Sequence, residues 1–218
     1  MPTTAPARPL PRLFLITPPD PAEGFAERLA AACRAGDVAS VLIWGEAADP
    51  RATLGRAKSL VPIVQEAGAA ALLCGDAQLV ARAGADGFHC DGDAEDLKAA
   101  LDRLQPERIV GAANLRSRHD AMVAGEAGAD YVFFGNLTPG EARGNALELL
   151  IERAEWWQPI FETPCVVHAP SLDAVGPLAL AGADFIALRD PLWSAADPAA
   201  IVRAAGEAIA RAFVEVAA

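Results

Sequence analysis

Short apolar runs recur along the chain and alternate with amphipathic stretches of helical length. Each run is continuously apolar, which is typical of parallel strands covered on both faces. The predicted strands lie near Arg12–Thr17, Ser40–Trp44, Ala70–Cys74, Gly87–Cys90, Ile109–Asn114, Tyr131–Asn136, Cys165–His168 and Phe185–Arg189.

A small repeated motif precedes most of these runs. The chain carries Ala-Gly-Asp at 35–37, Ala-Gly-Ala at 67–69, and Ala-Gly-Ala-Asp at 83–86, 127–130 and 181–184. A glycine just past a helix end can adopt a left-handed conformation that satisfies the last carbonyls of the helix. We therefore expect left-handed helix ends at Gly36, Gly68, Gly84, Gly128 and Gly182.

The segments between the strands predict helices. Examples are Pro21–Ala35, Ala94–Leu104 and Pro198–Val216, and Ser171 and Asp197 are suitable N-caps. Strict alternation of eight strands with helices predicts an α/β fold with parallel strands, a single (β/α)8 TIM barrel. A doubly wound open sheet is the alternative, although no G-x-G-x-x-G follows the first strand. We expect residues 1–11 to form a disordered tail and residues 12–218 the barrel domain.

The composition of the chain argues against some classes of binding partner. The net charge of −11 argues against nucleic acid, because binding to its backbone requires many Lys and Arg side chains. No signal peptide or membrane-length apolar stretch is visible, and the four cysteines show no C-x-x-C spacing. We expect a cytoplasmic protein with free thiols and a small-molecule substrate; a homo-oligomer is left open.

Polar residues gather where the predicted strands end, which is where barrel enzymes place their chemistry. The densest group is His89, Asp91 and Asp93, and its carboxylates suit Mg²⁺. The alternative for the two aspartates is that they cap the following helix. Asn114 and Asn136 end the next two strands and complete this part of the ring.

The remaining strand ends offer further candidates. His168 joins His89, Asn114 and Asn136 as candidate catalytic residues, with a packed core histidine as the alternative for each imidazole. The loops after the last two strands supply Ser171 and Arg189 for phosphate, although an ion pair with Asp190 would equally explain Arg189. Trp44 could stack on a flat heterocycle or simply pack.

Three segments resemble the thiamine phosphate synthase family, including its thiazole tautomerase branch. They are Ala83–His89, Ile109–Gly111 and Ala127–Gly135. The resemblance implies a (β/α)8 barrel that uses Mg²⁺ to join hydroxymethylpyrimidine diphosphate to a thiazole phosphate with loss of pyrophosphate.

Several motifs of that family are altered here. The strand-two Gln-x-Arg-x-Lys falls at Leu42–Glu46 and has lost both cations, and the Gly-Gly after strand seven is Ala169-Pro170. The magnesium carboxylates of the family are displaced, since their positions fall at Gly75 and Ala94, and we expect Asp76, Asp91 and Asp93 to replace them. In the altered loop after strand six, residues 138–143, we expect Arg143 to bind phosphate in place of the family's lysine. These departures predict reduced or lost synthase activity; the alternatives are a noncatalytic or regulatory barrel, or an enzyme acting on another small phosphorylated or heterocyclic ligand.

Overall fold

Eight parallel strands close into a barrel in sequence order, which confirms the predicted fold class. The computed structural model describes residues 8–45, 48–137 and 146–217. The strands are β1 (Arg12–Ile16), β2 (Val38–Ile43), β3 (Ala70–Leu73), β4 (Gly87–Cys90), β5 (Ile109–Ala112), β6 (Tyr131–Phe134), β7 (Cys165–His168) and β8 (Phe185–Leu188).

Helices surround the barrel on its outer face. They are α1 (Phe25–Cys33), α2 (Pro50–Glu66), α3 (Leu79–Ala83), α4 (Ala94–Leu104), α5 (Arg118–Glu126), α6 (Leu147–Trp157), α7 (Val175–Ala181), α8 (Asp190–Trp193) and α9 (Pro198–Ala217), with a 3₁₀ turn at Leu172–Ala174. The first helix begins at Phe25, later than the predicted Pro21, because Gly24 before it is left-handed with φ 74°. Asp197 caps α9 by accepting from the Ala200 N–H at 3.2 Å, as predicted. None of the helices in the described part of the chain has the length and apolar character that a membrane crossing requires.

Alternation along each strand divides the core into two layers. One layer lies between the strands and the helices, and the other fills the barrel. The barrel interior is formed by Phe14, Ile16, Leu42, Leu72, Cys74, Ala113, Tyr131, Phe133, Leu137, Val166 and Ala187. Because side chains alternate with a period of two, His89 and His168 also fall on the inward side of their strands.

The aspartates of the Ala-Gly-Ala-Asp repeats clamp neighbouring strands together. In each repeat the aspartate backbone N–H donates to a carbonyl at the start of the preceding strand, and the carboxylate accepts the N–H of that same residue. The side-chain bonds, of 2.7 to 2.8 Å, join Asp86 to Ala71, Asp130 to Val110, and Asp184 to Cys165. This paired contact fixes the register of β3 with β4, β5 with β6, and β7 with β8.

A long polar side chain also binds each of these aspartates, or the backbone carbonyl beside it, at the amino ends of the strands. Gln65 donates to the Gly84 carbonyl at 3.0 Å and to Asp86 at 3.1 Å. Gln105 donates in the same way to Gly128 and Asp130. At the third clamp Arg8 takes this position, bonding to the Ala183 carbonyl and pairing with Asp184 at 3.8 Å.

Four of the five predicted left-handed glycines are confirmed. Gly68, Gly84, Gly128 and Gly182 have φ between 72° and 116°. The prediction for Gly36 is wrong, since its φ is not positive. There the glycine provides room instead, because a Cβ would lie 3.0 Å from the Val202 side chain on α9.

The cysteines are free and buried, as the sequence predicted. Burial raises the pKa of the Cys33 thiol to about 11 and the pKa values of Cys74 and Cys165 to about 12. Thiols in this state remain protonated near neutral pH and behave as small apolar side chains.

We expect Asp86→Ala to destabilise the barrel by about 1–3 kcal/mol, because it leaves the Ala71 N–H without its acceptor and removes the partner of Gln65. Urea unfolding measures the change. The matched control is Asp102→Ala on the exposed face of α4, for which we expect less than about 0.5 kcal/mol. Equal losses in both variants would contradict a role for the clamp.

Candidate active site at the barrel mouth

A cavity of about 490 Å³ opens at the carboxyl ends of the strands. We call it the mouth cavity. Its floor is made by buried residues, including Cys74, His89 and Phe133. The structure brings together here five of the residues that the sequence singled out: Trp44, His89, Asp91, Asn114 and Asn136.

His89 projects from β4 into this floor and is 2% exposed. Its Nδ1 lies 2.7 Å from the hydroxyl of Tyr131 on β6. Burial lowers the pKa of the imidazole to about 3, so the ring is neutral near neutral pH. A neutral imidazole in this position offers a ligand one hydrogen-bonding nitrogen and no positive charge.

Asn114 lies at the end of β5 in a left-handed conformation with φ 56°. Such a conformation is uncommon outside glycine, and asparagine tolerates it better than most residues. The loop that follows is held from α6 by Arg153, which donates to the Leu115 carbonyl at 2.8 Å and to the Arg116 carbonyl at 3.0 Å. Arg153 therefore connects α6 to the edge of the mouth cavity.

The three predicted metal carboxylates occupy different environments. Asp91 is exposed, borders the mouth cavity and a neighbouring recess, and makes no hydrogen bond to the described residues. Asp76 borders the same recess, and one of its oxygens accepts the Gln78 N–H at 2.8 Å. Asp93 instead caps α4, accepting from the Glu95 and Asp96 N–H groups in a capping box. Within the described residues no group of three or more His, Cys, Asp or Glu side chains forms a ready metal site.

The ends of β7 and β8 lie apart from the lining of the mouth cavity. His168 is 2% exposed, and neither of its ring nitrogens has a hydrogen-bond partner among the described residues. Arg189 donates to the Leu137 carbonyl at 2.6 Å and pairs with Asp190 at 2.8 Å, which is the alternative that the sequence left open for it. Ser171 precedes the 3₁₀ turn, and its side chain makes no capping bond. Arg143 lies outside the described residues.

Comparison with known proteins identifies the family. The family model for thiamine monophosphate synthase matches residues 13–192. The chain belongs to the thiamine monophosphate synthase family. It is 39% identical over 212 residues to a thiamine-phosphate synthase of Hyphomonas neptunium, covering 94% of this chain and 96% of that protein. It is 41% identical over 195 residues to a thiamine-phosphate synthase of Rhodospirillum centenum, covering 88% of this chain and 94% of that one.

A solved structure agrees with the fold. Thiamine phosphate pyrophosphorylase from Pyrococcus furiosus superposes with a TM-score of 0.75 at 23% identity, covering 92% of this chain and 96% of that chain. The TIM-barrel architecture of this family member is thus shared with an experimentally determined relative.

In this member of the thiamine monophosphate synthase family, the altered strand-two motif runs from the barrel interior to the mouth cavity. Leu42 is fully buried in the barrel interior, and Trp44 borders the mouth cavity with its backbone carbonyl bonded to Arg56. Neither side chain carries charge, and Glu46 lies outside the described residues. Among the described residues, the positive charge that lines the mouth cavity comes instead from Arg116 and Arg153.

The sequence places Arg116 beside Asn114 in the ring of polar residues at the strand ends but gives it no role, and it does not point to Arg153 or Tyr131. Arg116 follows a strand end by only a few residues, so its position was the available signal. Arg153 lies inside a helix and Tyr131 begins a strand, and neither position distinguishes a site residue from a packing residue. The tertiary arrangement brings Arg153 to the lining of the cavity and Tyr131 into contact with His89 on its floor.

The stability of the protein should fall as pH drops from about 6.5 to 4, partly because of His168. Burial, assisted by the charge of Arg189, lowers the pKa of this imidazole from 6.5 to about 4. Between these values the unfolded chain binds a proton that the folded protein does not, so acid favours unfolding. His168→Leu should flatten the dependence of unfolding free energy on pH, by at most about 1.4 kcal/mol per pH unit.

Denaturant unfolding at several pH values between 4.5 and 7.5 provides the measurement. The exposed His119 supplies a matched control, and His119→Leu should change the slope less than His168→Leu does. A slope unchanged in His168→Leu would show that the buried imidazole does not contribute.

Proposed function

We propose that this protein condenses hydroxymethylpyrimidine diphosphate with a thiazole phosphate, releasing pyrophosphate, in the cytoplasm. Family membership over most of the chain supports the reaction class. The observation that carries the proposal is the mouth cavity itself, which places Arg116, Asp91 and His89 around one space at the carboxyl ends of the strands. Free, buried cysteines support a reducing compartment.

Arg116 is the candidate for binding the diphosphate. Its side chain is exposed at the cavity edge, and its guanidinium makes no hydrogen bond or ion pair with the described residues. The guanidinium of Arg153, in contrast, is occupied by two backbone carbonyls. A free guanidinium can bind phosphate oxygens through two parallel N–H groups and stabilise the charge that develops as pyrophosphate leaves.

A small number of side chains would carry out the proposed condensation. The bond between the activated pyrimidine carbon and the diphosphate breaks, pyrophosphate departs, and the carbon bonds to the thiazole. Positive charge near the departing diphosphate lowers the activation free energy of this step. His89 provides a neutral hydrogen-bonding group on the cavity floor, and the indole of Trp44 offers a flat surface beside the heterocycle. Asn114 and Asn136 are positioned to bind polar groups of the substrates from the rim.

The β7 and β8 ends are proposed to receive the thiazole phosphate. The hydroxyl of Ser171 makes no capping bond, and Arg189 follows the next strand, where its guanidinium is also bonded to the Leu137 carbonyl and to Asp190, so a phosphate would have to share it. The unpartnered nitrogens of His168 would be satisfied by a ligand group or a water at this end of the barrel. Arg143 stays a candidate phosphate ligand from the loop after β6.

Mg²⁺ is proposed as the cofactor, held by Asp91 together with Asp76 and the substrate diphosphate. The donor set fits, because Mg²⁺ characteristically takes one or two carboxylates plus phosphate oxygens. Both aspartates border one recess, and Asp91 also borders the mouth cavity. The metal would neutralise charge on the leaving pyrophosphate. Asp93, the third predicted ligand, has one oxygen committed to the α4 cap.

Formation of thiamine phosphate from the two substrates with Mg²⁺ tests the function. We expect turnover that is slower than that of a family enzyme with the strand-two Arg and Lys, because each missing contact worth about 1.4 kcal/mol costs tenfold in rate. Arg116→Gln should lower kcat/KM by roughly tenfold or more. Arg82→Gln, on the exposed face of α3, should leave kcat/KM unchanged. Absence of product from folded wild-type protein would overturn the proposal.

The dependence of activity on Mg²⁺ concentration should distinguish Asp91, the proposed ligand, from Asp93, the helix cap. Asp91→Asn should raise the Mg²⁺ concentration needed for half-maximal activity by roughly tenfold, since it removes a ligand charge without changing volume. Asp93→Asn should leave that concentration close to the wild-type value, because asparagine also caps helices well. Titration calorimetry with Mg²⁺ and inorganic pyrophosphate gives a second readout. Equal Mg²⁺ requirements in the wild type and Asp91→Asn would exclude Asp91 as a ligand.

A further inference from the structure

Three residues lie level with one another on neighbouring strands below the mouth cavity. His89 on β4 is in register with Gly111 on β5, and Gly111 is in register with Tyr131 on β6. The two outer residues are joined by the 2.7 Å contact between the His89 Nδ1 and the Tyr131 hydroxyl. This hydrogen bond therefore spans an entire intervening strand.

Gly111 makes the crossing possible. A Cβ at this position would lie 1.9 Å from the Cζ atom of Tyr131, so any other residue would exclude the ring from its place. The phenol lies over the bare backbone of β5 and reaches the imidazole beyond it. Phe14 packs against the same ring, edge-on with centroids 5.8 Å apart. The arrangement thus needs a glycine in the middle strand and an aromatic residue with a hydroxyl in the third.

The hydrogen bond has a defined direction. Burial lowers the pKa of His89 to about 3 and raises the pKa of Tyr131 well above its usual value, so both groups are neutral. A neutral phenol can donate or accept, but the Tyr131 hydroxyl has no other hydrogen-bond acceptor among the described residues, so donation to Nδ1 is the arrangement that satisfies its buried proton. The single proton of the neutral ring must consequently reside on Nε2.

We infer that Tyr131 is a positioning residue that holds His89 in the Nε2–H tautomer, so that the imidazole acts toward the ligand of the mouth cavity as a hydrogen-bond donor. The partner group on the ligand must then be an acceptor, such as a phosphate oxygen or an unprotonated ring nitrogen. His89 does not serve as a general base through Nε2, since that nitrogen already carries the proton. The identity of the ligand rests on the proposed function, whereas the tautomer does not.

Nitrogen NMR of the imidazole rings tests the tautomer directly. The chain has only three histidines, so His119→Gln and His168→Gln variants assign the signals of His89. In the wild type we expect His89 protonated at Nε2 and unprotonated at Nδ1 near neutral pH. In Tyr131→Phe, which keeps the ring and removes the donor, we expect the shifts to move toward a mixture of tautomers. Phe14→Leu is the control, because it removes a neighbour of Tyr131 and leaves the hydrogen bond in place.

Kinetics test the role of the donor. Tyr131→Phe should lower kcat/KM for hydroxymethylpyrimidine diphosphate by roughly three- to tenfold, the typical value of one hydrogen bond. His89→Gln, whose amide can place an N–H near the position of Nε2, should retain more activity than His89→Leu. A merely structural role for Tyr131 would predict equal effects of Tyr131→Phe and Phe14→Leu on both readouts.

The outcomes separate this inference from the proposed function. A His89 that keeps the same Nε2–H tautomer in Tyr131→Phe overturns the inference, whatever the activity. Altered tautomers with unchanged kcat/KM overturn the positioning role. If the folded wild type yields no thiamine phosphate while Tyr131→Phe alters the tautomer, the proposed reaction fails and the assignment of Tyr131 stands.

Discussion

The paired contact between each repeat aspartate and the preceding strand determines the register on which the site depends. The backbone N–H and the carboxylate of Asp86 both engage Ala71, and Asp130 engages Val110 in the same way. A slip of one residue would exchange inward and outward side chains along a whole strand. The clamps exclude such a slip at the amino ends of the strands, away from the cavity. The Asp130 contact sets the β5–β6 register that places Gly111 level with Tyr131, and the pairing of β4 with β5 places His89 level with Gly111.

The contacts that stabilise the barrel lie at the amino ends and in the middle of the strands, whereas the candidate site lies at their carboxyl ends. Aspartates and the glutamine and arginine side chains that support them close the amino ends, and aromatic and aliphatic side chains fill the middle. Above that layer the packing stops and the mouth cavity begins. Loops at the carboxyl ends can therefore change sequence without disturbing the strands, which is how a family member can retain its framework after losing the strand-two cations.

Loss of those cations changes where an anionic substrate can find positive charge. The N-termini of α4 and α5 border a recess beside the mouth cavity, and both end in capping boxes that contain aspartates: Asp93 with Asp96, and Ser117 with Asp120. The caps occupy some of the N–H groups in each first turn and place negative charge at the positive end of the helix dipole, so these helix ends are poor anion sites. In a protein with a net charge of −11, an anionic substrate would have to be attracted by individual basic side chains, and Arg116 is the one that we propose at the edge of the mouth cavity.

The sequence by itself determined the strands, their order and the type of fold, because apolar runs, helix periodicity and glycine at helix ends are local properties. For Asp93 the sequence left open a metal ligand or a helix cap, and the structure shows the capping bond. For Arg189 it left open a phosphate ligand or an ion pair with Asp190, and the structure shows the ion pair. It was wrong at Gly36, where the reason for glycine is the approach of a distant helix. Tertiary structure alone decided that Tyr131 reaches His89 across Gly111 and that Arg153 holds the loop of Asn114. These contacts join residues 42 and 38 positions apart, and their distances depend on strand register and barrel closure, which no local pattern contains.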